Sequence, residues 1–192
     1  MGKLTEIRWH GRGGQGAKTA ALLFGEAVLG QGKHMQAFPE YGPERMGAPV
    51  QSYNRISDEP ITLHCGVTAP KIVVVLDPTL IGTVDVMHGV PEDGTIIVNT
   101  DQPATKFREI LQVKGQKVYT IDASKIARET IGRDIPNTPM MGALTKVTGL
   151  VDFDEMLADT KKKLTKKFRT KPEVIDGNLQ AIRRAYDEVK AD

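Results

Sequence analysis

Trp9-His10-Gly11-Arg12-Gly13-Gly14-Gln15-Gly16-Ala17-Lys18-Thr19 decides how this 192-residue chain is read. Before it, Leu4-Thr5-Glu6-Ile7-Arg8-Trp9-His10 alternates apolar and polar residues, the period-two pattern of a strand with one buried face. After it, Ala20, Leu22, Leu23, Ala27 and Val28 form a wide apolar face while Lys18 and Glu26 face water, which predicts a helix over 17–29. Between the two, glycines at 11, 13, 14 and 16 free the backbone to adopt positive φ and let another group approach closely. Strand, glycine turn and helix open a βαβ unit, and the unpaired amides at the helix start point back into the turn. Such a turn stabilises an anion by about 0.3–1 kcal/mol when exposed and by up to about 2 kcal/mol when partly buried.

Gly11, Gly13 and Gly16 match the spacing of a dinucleotide-binding turn, which also expects an acidic residue about 20 positions further on to bind a ribose hydroxyl. Here Gln36, Ala37 and Phe38 end the second strand, and Glu40 lies beyond Pro39. The turn therefore reads as a place for a phosphate or a closely approaching backbone more than for NAD, and a packing turn without a ligand stays equally open. Arg12, Gln15 and Lys18 are the side chains that would bring charge and donors to a phosphate. No Gly-Lys-Ser/Thr follows, which excludes a Walker loop.

Residues 33–38 read as the second strand, closed by Pro39. The next stretch, Glu40-Tyr41-Gly42-Pro43-Glu44-Arg45-Met46-Gly47-Ala48-Pro49, is loop by its glycines and prolines. Its Tyr41, Arg45 and Met46 are residue types enriched at interfaces, and Glu44 beside Arg45 either orients a partner or forms an ordinary surface pair. Residues 50–56 alternate again and, across a turn at 57–60, predict an antiparallel hairpin with 61–63. The β-branched runs at 71–77, 95–99 and 118–122 mark strands covered on both faces, with helices between and after them. Asp77, Asn99 and Asp122 end those runs, placed either to line a crevice or to cap turns and helices. Helical spacing then covers 138–149, 151–168 and 172–190. The expected architecture is an α/β domain over 1–192 with a mainly parallel sheet flanked by helices and a Rossmann-like glycine turn after the first strand. Residues 1–150 form its core and 151–192 a helical C-terminal extension.

Composition narrows the function. With 26 Lys and Arg against 24 Asp and Glu, a formal charge of +2 argues against a nucleic-acid binder. The basic run at 161–169 reads as a solvated helix face, with docking of an acidic partner as the alternative. A single cysteine, Cys65, rules out an internal disulfide or an iron–sulfur cluster held by this chain alone, and it is expected to be a buried small residue. His10, His34, His64 and His88 show no zinc-ligand spacing, and no self-contained catalytic constellation is present. Without a signal-like segment or a membrane-length apolar run, the chain is expected to be cytoplasmic and free of the membrane.

Three segments together carry a resemblance: Gly11-Arg12-Gly13-Gly14-Gln15-Gly16; Gln36 to Val50 with Gln36-Ala37-Phe38-Pro39-Glu40-Tyr41-Gly42-Pro43-Glu44-Arg45-Met46-Gly47; and Arg55-Ile56-Ser57-Asp58. In that order, and with Asn137-Thr138-Pro139-Met140-Met141-Gly142-Ala143 further on, the chain resembles the gamma subunit of 2-oxoacid:ferredoxin oxidoreductases, most nearly of the pyruvate enzymes. The resemblance implies a subunit that is inactive alone and assembles with alpha, beta and delta subunits, with ferredoxin as the electron acceptor of the complex. Thiamine diphosphate and the iron–sulfur clusters would sit on those partner subunits, with no cofactor on this chain alone. Coenzyme A would be a substrate met at Gly11, Arg12, Gly13, Gly14, Gln15, Gly16 and Lys18, and Tyr41, Gly42, Glu44, Arg45, Met46 and Gly47 would form a partner-contact loop. A pure assembly module and a free NAD-dependent dehydrogenase are the rival readings, and self-association of the isolated chain is left open.

Overall fold

Ile7 and Trp9 are completely buried, as the alternation of the first strand requires. The structure, a computed structural model, describes residues 4–40 and 47–191. Its elements are β1 (Thr5–Arg12), α1 (Ala17–Gly30), β2 (His34–Glu40), β3 (Pro49–Ser57), β4 (Ile72–Val75), β5 (Thr95–Asn99), α2 (Ala104–Ile110), β6 (Lys117–Ile121), α3 (Ala123–Ile131), α4 (Asn137–Thr148), α5 (Phe153–Lys167), α6 (Pro172–Glu188) and β7 (Lys190–Ala191). They build one sheet in the order β2-β3-β1-β4-β5-β6-β7. The β1, β4, β5 and β6 strands pair in parallel, β3 runs antiparallel to both β1 and β2, and β7 runs antiparallel to β6. The fold is α/β as expected, with a parallel centre and antiparallel margins.

Both faces of the sheet are covered. Ile7, Trp9, Val74, Leu76 and Ile97 share one apolar cluster with residues of α1, α3, α4, α5 and α6. Val73, Val75, Ile96, Val98 and Val118 pack on the other side against Phe107 of α2 and Val86. Two polar groups are satisfied inside the larger cluster: Trp9 Nε1 donates to Asn54 Oδ1 at 2.8 Å, and Asn54 Nδ2 donates to the Ala21 carbonyl at 2.8 Å. Gly25 lets α1 approach the sheet this closely, because a Cβ there would stand 2.9 Å from the Met35 methyl and 3.0 Å from Asn54 Nδ2.

The chain leaves β1 through α1 and crosses one face to reach β2 on one side of the sheet. From β4 it proceeds to β5 and β6 on the other side, with its connections on the opposite face. The carboxyl ends of β1 and β4 therefore flank a topological switch point, where open α/β sheets hold their ligands. The glycine turn stands at that place.

Four expectations change. Residues 61–63 form no hairpin with β3, whose two edges are taken by β1 and β2. Pro39 does not close β2, which continues to Glu40; as an outer strand it loses no ladder bond to a residue without an amide hydrogen. Between β4 and β5 there is only a single 3-10 turn, Pro78–Leu80, capped by the Asp77 side chain, in place of a helix. The last helix ends at Glu188, and Lys190–Ala191 pairs with β6. The C-terminal helices belong to the same domain, since Met156, Leu157, Ala181, Ile182 and Ala185 lie in the same buried cluster as Trp9.

Candidate functional site

The glycine turn is built by two left-handed residues. Gly14 has φ 100° and Gly16 φ 82°, a region that costs a residue with a Cβ roughly 1–2 kcal/mol. Gly16 caps α1 without any side-chain bond to the helix start. A Cβ on it would lie 2.6 Å from Asn137 Nδ2, so the position needs glycine for its conformation and for space. Around Gly14 nothing among the described residues stands within 4 Å of a would-be Cβ. The turn thus has a closed wall at Gly16 and an open rim at Gly14.

Its polar side chains are tied together by Asp77, at the end of β4. Arg12 Nε donates to Asp77 Oδ2 at 3.1 Å and Gln15 Nε2 to the same oxygen at 2.9 Å. The other oxygen accepts from the Thr79 amide at 2.9 Å and the Thr79 hydroxyl at 2.6 Å. Burial pushes the Asp77 carboxyl up, yet the Thr79 and Gln15 hydrogen bonds and the Arg12 charge outweigh it and hold the group below the usual carboxylate value. Arg12 also donates to Thr79 Oγ1 at 3.0 Å and to the Gly47 carbonyl at 3.1 Å, which leaves two of its five N–H groups without a partner among the described residues. Gln15 Oε1 accepts from the Arg12 amide at 2.7 Å, closing the turn on itself. Lys18 is exposed on the first turn of α1.

The second motif joins the first. The Gly13 amide donates to the Ala48 carbonyl at 2.9 Å, and the Gly47 amide to the Gly13 carbonyl at 3.2 Å. Tyr41, Gly42, Glu44, Arg45 and Met46 lie outside the described residues. Asn99 and Asp122 do not line the switch point. Asn99 ties the Leu76 carbonyl and Ser124 together, and Asp122 caps α3 by accepting from the Lys125 amide at 2.9 Å. A cavity of about 700 Å³ between Thr100, Asp122, Lys125 and the 187–191 tail lies at β5 and β6, away from the turn.

Asn137 is the neighbour that the sequence pattern left out of the site, having been read only within a family-like segment. The cue available was an Asn directly before Thr-Pro at a helix start. Cys65 is exposed, contrary to expectation, in an irregular stretch where its Sγ lies 3.7 Å from Arg55 Nη2. His34, His64 and His88 are exposed and scattered, whereas His10 is buried on β1 beside Arg8. Burial, reinforced by the Arg8 charge, drives the His10 imidazole down to about 3, so it is neutral at pH 7.

Against known families, residues 6–188 match the model described as pyruvate ferredoxin/flavodoxin oxidoreductase. The chain belongs to this family. It is 48% identical over 188 residues to the pyruvate synthase subunit PorC of Thermotoga maritima, covering 98% of this chain and 96% of that one. It is 43% identical over 187 residues to the common gamma subunit of the pyruvate/ketoisovalerate oxidoreductases of Pyrococcus abyssi, covering 97% and 98%. The crystal structure of the Thermotoga maritima PORC subunit superposes with a TM-score of 0.86 over 99% of both chains at 45% identity. The 2-oxoglutarate:ferredoxin oxidoreductase of Magnetococcus marinus shares the fold at 19% identity and a TM-score of 0.77, with 96% of this chain matching 31% of that longer one. The resemblance to oxoacid:ferredoxin oxidoreductase gamma subunits thus holds over nearly the whole length. Among the described residues, no helix is long and apolar enough to cross a membrane.

Proposed function

We propose that this chain is the gamma subunit of a pyruvate:ferredoxin oxidoreductase and that its glycine turn receives coenzyme A in the assembled enzyme. The reaction breaks the bond between the carboxylate and the keto carbon of the 2-oxoacid. It releases carbon dioxide, passes two electrons to ferredoxin and joins the acyl group to the coenzyme A thiol. The observation that carries the reading is the position of the turn: left-handed glycines, an α1 start without a side-chain cap and the Arg12 guanidinium meet at the switch point of the sheet. Near-full-length similarity to pyruvate synthase subunits supports the reaction. In this reading, as the family resemblance implies, thiamine diphosphate and the clusters belong on the alpha, beta and delta partners; for the clusters this agrees with a single cysteine, which supplies one thiolate where a cluster needs several.

Coenzyme A and NAD titrated into the assembled complex test it. Gly14→Val places a side chain in the open rim, and it is expected to raise the coenzyme A KM about tenfold or more with kcat retained. Equal coenzyme A affinity in the wild-type and Gly14→Val complexes would remove the ligand role of the turn.

A second reading, an assembly module, is favoured by the bonds from Gly13 to Gly47 and Ala48 and by the internal Arg12–Asp77 pair, which spend polar groups on the chain itself. Here the turn fixes Gly47 and Ala48 for a partner subunit. Arg12→Ala separates the two: a raised coenzyme A KM with intact assembly favours the ligand, and loss of a subunit favours the module.

A further inference from the structure

We infer that residues 161–171, the end of α5 and the turn after it, form the surface on which the protein electron acceptor of the assembled enzyme docks through a carboxylate-rich face. The inference rests on the reaction proposed above and gives its mobile partner a place on this chain. The stretch reads Lys161-Lys162-Lys163-Leu164-Thr165-Lys166-Lys167-Phe168-Arg169-Thr170-Lys171, seven cations and no acid. The other 181 residues hold 19 Lys and Arg against all 24 Asp and Glu. A chain that is almost neutral overall is therefore strongly polarised, and such a field acts on charged partners.

The fold spends only one of these charges on itself. Lys163 turns towards its own chain, with its Nζ 2.5 Å from Asp159 and 2.8 Å from Glu26 of α1. Lys161, Lys162, Lys166, Lys167, Arg169 and Lys171 are exposed, and none of them pairs with a carboxylate among the described residues. Elsewhere Arg12, Lys33, Lys71, Arg128 and Arg184 all do. Helix geometry sets Lys162 and Lys166 opposite the buried Leu164, with Lys161 beside them. Lys162 and Lys166, like Lys163 and Lys167, are equal charges four residues apart, an arrangement that destabilises a helix until a counter-charge arrives. The helix dipole accounts for Lys166 and Lys167 in the last turn. It does not account for Lys161 and Lys162 before that turn, nor for Arg169 and Lys171 beyond the helix end.

The chemistry of the stretch selects the occupant. Six exposed cations strung along a helix end and a turn do not converge on one point, so they fit an extended anionic surface more than a small anion. The exposed large apolar side chains among the described residues, Leu4, Leu22, Leu29, Leu63 and Ile110, all lie outside it, which leaves a membrane nothing to bury there. The net acidic remainder of the chain repels a nucleic acid. Lysine is also depleted in the core of protein interfaces, which argues against a permanent subunit contact. Brief redox encounters bury little area and are steered by charge. In the proposed reaction the electron acceptor is the protein that must arrive and leave at each turnover, and this surface requires that it present carboxylates.

Lys161→Glu, Lys162→Glu and Arg169→Glu, made together in the assembled enzyme, test the docking, because they spare the last-turn lysines and the pairs of Lys163. At low salt the KM for the host ferredoxin should rise about tenfold or more. Reduction of methyl viologen, the coenzyme A KM and the Tm should stay at their wild-type values. Raising NaCl from about 50 to about 200 mM should weaken ferredoxin use by the wild type and leave the variant nearly flat. Lys161→Arg, Lys162→Arg and Arg169→Lys together keep the charge and should keep the wild-type KM. An unchanged ferredoxin KM in the glutamate variant overturns the docking alone. Loss of a subunit makes the stretch a permanent interface, and an equal rise in the coenzyme A KM makes it a small-anion site; either result overturns the proposal. So does binding of DNA or anionic vesicles by the wild type and not by the variant, with the ferredoxin KM unmoved. A wild-type complex that oxidises pyruvate with methyl viologen but reduces no ferredoxin overturns the acceptor reading and the docking with it.

Discussion

Gly14 and Gly16 share a backbone sign and differ in surroundings, so the same substitution should affect them unequally. Gly14→Ala adds a methyl to open space and should cost about 1–2 kcal/mol for its left-handed conformation alone. Gly16→Ala adds a clash with the Asn137 side chain on top and should cost clearly more, read as a larger fall in urea midpoint. His10 supplies a second residue-scale test. Its folded pKa of about 3 lies below its ordinary 6.5, so between those values the unfolded chain binds a proton that the folded chain refuses. Its contribution to stability is therefore full above pH 6.5 and lost as the pH falls towards 3, by up to about 1.4 kcal/mol per pH unit for one proton. Asp77, whose pKa is depressed from a carboxylate value, adds a loss of the same sign only at lower pH. Urea melts between pH 6.5 and 5 isolate the histidine, and His10→Gln should flatten the slope there. The same slope in wild type and variant would show that another group drives it. The sequence placed His10 on a strand but could not show its burial, because the cover over that face is built from distant segments; Arg8, on the same side of β1, is held by the carbonyls of Val86 and His88 at 3.0 and 2.8 Å.

Among the elements, those with a local cause were readable and those set by a distant partner were not. The β4, β5 and β6 strands announce themselves as runs rich in β-branched residues because the sheet is covered on both faces there. The β3 strand pairs back to β2 and to the distant β1, so the hairpin expected between 50–56 and 61–63 across the turn at 57–60 does not form. Nor does local pattern disclose the joint between α1 and α5. Gln31 ends α1, and its side chain accepts from the Asp152 amide at 2.7 Å and donates to the Asp152 carbonyl at 3.2 Å. Asp152 in turn caps α5 by accepting from the Glu155 amide at 2.9 Å. Asp152→Ala should cost about 1 kcal/mol, the usual loss of an N-cap, whereas Gln31→Ala should cost about 0.5–1.5 kcal/mol through the two joint bonds. Because the joint uses the Asp152 backbone and the cap its side chain, the double variant should be nearly additive, within about 0.5 kcal/mol. A large coupling in the chemical-denaturation cycle would mean that the cap depends on the joint.

For the molecule as a whole, the site is an assembly of pieces far apart in sequence: the turn at 11–16, Gly47 and Ala48, Asp77, and Asn137. The first two were legible as motifs, whereas Asp77 and Asn137 acquire their meaning from the switch point and from the packing of α4, which spacing alone does not encode. The segment 151–192 packs on that same core. Helix α4 is buried from Asn137 to Thr145, and α6 lies on it so closely that a Cβ at Gly142 would stand 2.2 Å from the Ile182 carbonyl oxygen. Gly177 meets the Thr130 carbonyl of α3 in the same way, at 2.3 Å. Removing α5 and α6 would expose Met140, Met141 and Leu144, all completely buried now, and would loosen the start of α4 that Asn178 holds through Thr138. A chain ending at residue 150 should therefore lack a cooperative thermal transition, and within the full chain Gly142→Ala should cost more than about 2 kcal/mol because backbone, not a pliable side chain, must move. Calorimetry on both proteins checks this. A sharp transition in the truncated chain would show that the sheet carries a core of its own without the C-terminal helices.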